Sequence, residues 1–178
     1  MNAPATAPEF SRPVDLRSIG NAPLALEANA EERAALARRF DLVRIDRLEA
    51  SVTLTPDGEA VDAGGTLVAD IVQSCAVSGE DLSVKVHEPL DMRFVPAASL
   101  TAPAPDEEVE LDEEELDEIP YEGTGFDLGE AIAQSLALAI DPFATGPDAD
   151  DARRRHGMVA EGEQDGPLAD ALRGLKGD

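Results

Sequence analysis

The chain has 178 residues, 38 of them Asp or Glu against 14 Lys or Arg, for a formal net charge of −24. That length allows one modest core plus tails, and that charge disfavours non-specific binding to a phosphate backbone while attracting basic partners. Aromatic residues make up 3% of the chain and Trp is absent, so Leu, Val, Ile and Ala must build most of the core.

The first nine residues, rich in Ala and Pro, read as a flexible tail. Met1 to Pro8 has neither a basic stretch nor an apolar one, which speaks against a signal peptide. From Phe10 to Ile19 a partial alternation predicts a first strand. Leu24-Ala25-Leu26-Glu27 predicts a short second one. Asn29 followed by Glu32 is a capping-box pattern, predicting a helix to about Phe40 with Arg38 and Arg39 at its C-terminal end.

From Leu42 to Thr55 the apolar parity changes. Val43 and Ile45 occupy odd positions; Leu48, Ala50, Val52 and Leu54 occupy even ones. A β-bulge near Arg47 reconciles the two. Pro56-Asp57-Gly58 predicts a turn. Gly64-Gly65 then precedes a strand over 66–74, with Leu67, Ala69 and Ile71 on one face. After a turn at Ser78-Gly79-Glu80-Asp81 comes the clearest period of two: Leu82, Val84, Val86, Leu90, Met92 and Phe94. Pro89 predicts that this strand is an edge or is interrupted there.

The stretch 97–118 reads as a loop insert. Ala and Pro dominate its start, and its second half is the densest run of acid in the chain. Asp106, Glu107, Glu108, Glu110, Asp112, Glu113, Glu114, Glu115, Asp117 and Glu118 are candidate partner-binding groups, since a solvated carboxylate run suits a basic protein surface. Leu116, Ile119 and Tyr121 are expected to rejoin the sheet. Asp127 and Glu130 then cap a helix whose stripe is Leu128, Ile132, Leu136 and Ala139, expected to pack across the sheet. Asp141-Pro142 ends it.

Beyond Pro142 the composition shifts, and 144–178 reads as a mostly disordered tail. Within it Leu168, Ala171, Leu172 and Leu175 share a helical face over 167–176. Leu168, Leu172 and Leu175 are a second candidate partner contact. No apolar run approaches the roughly 20 residues of a membrane helix. Together with a single cysteine, which permits no internal disulfide, this leads to a cytoplasmic expectation.

The expected fold is α+β: an antiparallel sheet, partly barrel-like, with two helices packed on it. A single domain over 10–143 carries the insert.

Sites for chemistry are missing from the pattern. His87 and His156 have no second ligand at metal-binding spacing. There is no phosphate-cradling glycine loop and no Gly-x-Ser-x-Gly elbow. The expectation is a protein without catalytic, cofactor or metal residues. The basic groups Arg38, Arg39, Arg44 and Arg47 leave one alternative open, direct RNA binding through an arginine patch. Arg153-Arg154-Arg155 is the other basic cluster.

Three stretches carry a resemblance. They are Ile71-Val72-Gln73-Ser74-Cys75-Ala76-Val77-Ser78 with Val84 to Glu88 and Met92-Arg93-Phe94; the acidic insert; and Phe126-Asp127-Leu128-Gly129-Glu130 with Ser135 to Phe143. Their order resembles the YceD-like family, the large ribosomal RNA subunit accumulation proteins, in its alphaproteobacterial form. Pro167 to Lys176 is similar to that form's C-terminal motif. The resemblance implies a role in accumulation or processing of large-subunit ribosomal RNA, with no catalytic activity. The expected partner is a basic ribosomal protein or assembly factor; ribosomal RNA would be contacted indirectly, and neither a membrane nor a small-molecule substrate is implied. Many members of the family carry Cys-x-x-Cys where this chain has Cys75 and Ser78. One thiolate makes neither a thiolate-based zinc site nor a redox dithiol, so Cys75 is expected to serve as a small apolar residue at a strand end.

Overall fold

The computed structural model describes residues 8–20, 22–99 and 118–157. The chain falls into two compact units, Met1–Gln73 with Ser83–Asp141 and Ser74–Leu82 with Pro142–Asp178.

The first unit is α+β. Its elements in chain order are β1 (Pro13–Asp15), β2 (Leu24–Glu27), α1 (Ala30–Arg39), β3 (Arg44–Asp57), β4 (Ala60–Ser74), β5 (Asp81–Pro96), β6 (Glu118–Tyr121), β7 (Gly125–Asp127) and α2 (Leu128–Ala139). Five strands form one sheet in the order β2-β3-β4-β5-β6. β2, β3 and β4 pair antiparallel, and β6 runs parallel to β5. The sheet is not closed into a barrel. β1 and β7, the strands available to bridge its edges, are three residues each and pair with one another. Closure needs every strand to have two neighbours.

Local chemistry explains most boundaries. The Asn29 side chain accepts from the Glu31 and Glu32 backbone N–H groups, and the Glu32 carboxylate accepts from Asn29 N–H, so the capping box of α1 is complete. The register of β3 against β4 shifts between Ile45 and Arg47. That bulge keeps Ile45, Leu48, Ala50, Val52 and Leu54 all buried despite their change of parity.

Two strands differ from expectation. β1 covers only Pro13–Asp15 because Leu16–Ser18 turns into a 3-10 helix, with the Asp15 side chain accepting from Arg17 N–H. β4 begins at Ala60, not after the glycines, so Gly64 and Gly65 lie within it, paired with Thr53 and Val52. Gly65 is needed for close approach: a Cβ there would run into the carbonyl oxygen of Ser51. Glycine inside a strand marks such a contact rather than a strand end.

One core cluster joins the helices to the sheet. Leu128, Ile132 and Leu136 of α2 are fully buried in one cluster with Leu67, Ile71 and Phe94 of the sheet. Phe94 stacks on Phe126, with ring centroids 3.8 Å apart, and Tyr121 lies tilted against Phe126 at 6.3 Å. Half of the chain's few aromatic rings thus meet where β5, β6 and β7 converge. The N-terminal segment crosses the start of α2: Asp127 accepts from Arg12 N–H and Ser11 O–H, and Leu128 N–H donates to Arg12 O. A Cβ at Gly129 would strike the Phe10 carbonyl oxygen, so the crossing requires glycine there.

In the second unit, the chain leaves β4 at Cys75 and turns through Ala76–Ser78. Cys75 N–H donates to Glu80 O, Gly79 N–H to Cys75 O, and Ala76 N–H to Ala144 O. Ala149–Arg155 forms a further helix, α3, within the stretch whose composition suggested no regular structure. Ala149 and Ala152, three apart, bury one face. Asp150 and Asp151 sit in its first turn and Arg153–Arg155 in its last, which complements the helix dipole. The segment 167–176 lies outside the described residues.

Candidate functional site

The parallel pairing of β6 with β5 places the acidic insert. Antiparallel neighbours need only a hairpin, whereas a parallel neighbour needs a crossover that carries the chain back to the strand's start. β5 ends at Pro96, a 3-10 turn covers Ala97–Ser99, and β6 returns with Glu118 opposite Arg93 and Tyr121 opposite Pro96. The insert is that crossover. Such a crossover takes about a dozen residues or more, and the chain between Ser99 and Glu118 supplies it.

At the foot of the insert lies a cavity of about 500 Å³. Ala97 and Ala98, Tyr121 and Glu122, and the turn residues Gly58 and Glu59 contribute to its walls. The Tyr121 hydroxyl donates to the Glu59 carbonyl at 2.6 Å, tying β6 to the β3–β4 turn. Arg93 binds Asp62 at 2.6 Å and Asp57 at 2.8 Å, and its Nε lies 3.8 Å from Glu118. Asp57 first, and then Asp62, hold the guanidinium pKa above its ordinary value. Of the ten acidic candidates, Glu118 is the one among the described residues. Asp106, Glu107, Glu108, Glu110, Asp112, Glu113, Glu114, Glu115 and Asp117 lie outside them, as do Leu168, Leu172 and Leu175.

Three of the four arginines of the patch are paired with carboxylates. Arg39 binds Glu130 at 2.7 Å and Glu9 at 3.0 Å; Arg44 binds Asp46; Arg47 binds Glu49 at 2.5 Å. Arg38 is exposed and makes no ion pair with a described residue. In the C-terminal cluster, Arg153 pairs with Asp150 and Arg154 with Asp151. Such pairs are individually weak in stability, but each cancels the local field a phosphate would need. Reading the sequence alone missed this pairing, since Arg39 and Glu130 stand 91 positions apart.

No group of three or more His, Cys, Asp or Glu side chains among the described residues is placed to hold a metal ion. His87 and His156 are both exposed. Cys75 is buried, as expected of a small apolar residue, but its sulfur is also an acceptor. Gly146 N–H approaches Sγ at 3.3 Å and Ser78 N–H at 3.4 Å. Donation from Gly146 first, then from Ser78 and Val77, lowers the thiol pKa from 9.0 to about 6. Ser78 thus stands in the turn where the Cys-x-x-Cys pattern would place a second thiol, and its backbone holds the first.

No described helix is long and apolar enough to cross a membrane. A family model described as Large ribosomal RNA subunit accumulation protein YceD matches residues 63–174. The match runs from β4 through the insert and α2 and includes Leu168 and Leu172, ending one residue before Leu175. Comparisons with curated proteins and with solved structures found no match.

Proposed function

The chain belongs to the YceD family of large ribosomal RNA subunit accumulation proteins, and from that premise we propose that it is a non-enzymatic, cytoplasmic assembly factor acting through protein contacts. Its role in accumulation of large-subunit ribosomal RNA comes with the family. The finer reading is that the carboxylates of Asp106 to Glu118 engage a basic ribosomal protein or assembly factor. Leu168, Leu172 and Leu175 add an apolar contact to the same partner.

The observation that carries this reading is the position of the insert. The densest acid in a chain of net charge −24 occupies the crossover between the parallel strands β5 and β6. Protein is favoured over RNA as the direct partner because Arg39, Arg44 and Arg47 are already paired with carboxylates. A basic ribosomal protein in transit to its rRNA site needs its charge screened, and a solvated carboxylate chain does this without a rigid interface.

Complementation tests it. A strain lacking the gene is supplied with the wild-type chain, or with a chain whose residues 100–117 are replaced by Gly and Ser at equal length. The wild type is expected to restore the ratio of large- to small-subunit rRNA and the variant to fail. Full restoration by a variant that folds would overturn the reading.

A further inference from the structure

A groove of about 440 Å³ lies between the edge of β5 and the flank of α2. β6 pairs only with Arg93–Pro96, so β5 from Ser83 to Met92 has no described strand on its β6 side. The groove begins at Glu118 and Ile119 and runs along Glu88 to Met92. Opposite, α2 contributes Ala131, Gln134 and Leu138. Residues of both parities of β5 line it, which places it at the strand's edge rather than over one face.

Two properties of this groove point the same way. Leu90, Met92 and Ile119 contribute apolar atoms to its lining, and Leu138 stands beside them 88% exposed. A large aliphatic side chain so exposed, on a helix whose opposite stripe is fully buried, is covered by none of the described residues. The rim carries Glu88, Asp91 and Glu118, with no Lys or Arg in the lining. Arg93 lies 3.8 Å from Glu118, and Glu88 and Asp91 have no ion-pair partner among the described residues. Aliphatic groups set among carboxylates fit a segment that alternates basic and apolar side chains.

We propose that this groove docks an extended basic segment of a partner protein, with aliphatic side chains against Leu90, Ile119 and Leu138 and Lys or Arg at Glu88, Asp91 and Glu118. The inference rests on the reading that the partner is a basic protein, and it assigns that partner a place on the folded unit. The chain's own insert is a poor occupant, since its acidic side chains would meet the acidic rim. Extended segments at a sheet edge and aliphatic anchors beside a helix are both established ways of binding a peptide.

The test uses the isotope-labelled full chain titrated with short synthetic peptides of alternating Lys and Leu, Lys and Ser, and Glu and Leu. With Lys–Leu, amide shifts are expected at 88–92, 118–119 and 134–139. Affinity is expected to fall about tenfold with Lys–Ser and further with Glu–Leu. The variants L138D and E88K/D91K should each lose about tenfold for Lys–Leu while keeping the wild-type spectrum elsewhere. Shifts confined to the insert would overturn the groove while leaving the acidic-insert reading standing. Binding unchanged by either variant would also overturn it, as would groove shifts that follow protein concentration without peptide, which would assign the surface to a second copy. Failure of every basic peptide to bind would count against both readings.

Discussion

Arg93 faces Glu118 across the parallel β5–β6 pairing, its Nε 3.8 Å from the carboxylate, at the residue where the acidic insert re-enters the sheet. The same guanidinium reaches Asp57 and Asp62 at the end of the β3–β4 hairpin. One cation therefore holds the returning end of the insert and the adjacent hairpin together. Replacing it leaves three carboxylates close to one another with no counter-charge. R93M is expected to lower the melting temperature, more at low ionic strength than at high, because salt screens the remaining repulsion. Thermal unfolding at two salt concentrations checks this, and R93K should lose less.

The start of α2 gives a second prediction. At Gly129 an added methyl would meet the Phe10 carbonyl and approach Arg12 N at 2.8 Å, both backbone atoms that cannot rotate away. G129A should destabilise the chain by about 1–3 kcal/mol, as overpacking does, despite alanine's better helix propensity. Urea unfolding measures it. If G129A were neutral or stabilising, the crossing of residues 10–12 over α2 would be wrong.

Stability against acid follows from the paired carboxylates. Arg39 holds Glu130 below its ordinary pKa, with help from Gln134, and Arg12 does the same for Glu32, assisted by the Asn29 backbone. A carboxylate whose folded pKa is depressed stabilises the fold above its unfolded pKa, and that contribution is lost as pH falls through the folded value. The contribution of these carboxylates should therefore change little from neutral pH down to about 4.5 and decline below it. E130Q should be less stable than wild type at neutral pH and show a shallower acid decline. Denaturant midpoints across this range test both parts.

Cys75 should exist largely as thiolate at neutral pH, given its pKa of about 6. Thiolate absorbance is expected to appear with a midpoint near that value and to be absent in C75S. Because the folded pKa lies below the ordinary 9.0, the contribution is complete above the ordinary value and is lost as pH falls through about 6. A midpoint near the ordinary thiol value would contradict the Gly146 and Ser78 contacts.

Patterns of short range were legible in the sequence. The capping box at Asn29 and Glu32, the bulge at Arg47 and the even-numbered apolar face of β5 each rest on chemistry within a few residues. Of the edge or interruption that Pro89 signalled, the edge is what is found: β5 runs unbroken from Asp81 to Pro96, and β6 pairs only with Arg93–Pro96. Features set by distant neighbours were not legible. Gly64 and Gly65 looked like a strand boundary because the Ser51 carbonyl that demands Gly65 lies on another strand. The arginine patch looked basic because Glu130, which pairs with Arg39, is remote in sequence. The groove along β5 required knowing both where β6 stops and which flank of α2 is left uncovered. The acidic insert is legible as composition, but its status as a parallel crossover emerges only from the pairing of Glu118 with Arg93.

The most direct test of the account is affinity purification of the tagged full chain at moderate salt, with protein mass spectrometry and RNA sequencing of the eluate. Wild type is compared with a variant whose Asp106–Glu118 carboxylates are changed to amides. The account predicts that a basic large-subunit protein or assembly factor is enriched by wild type and lost from the variant. No enrichment of any large-subunit component, or enrichment that the amide variant retains in full, would contradict it.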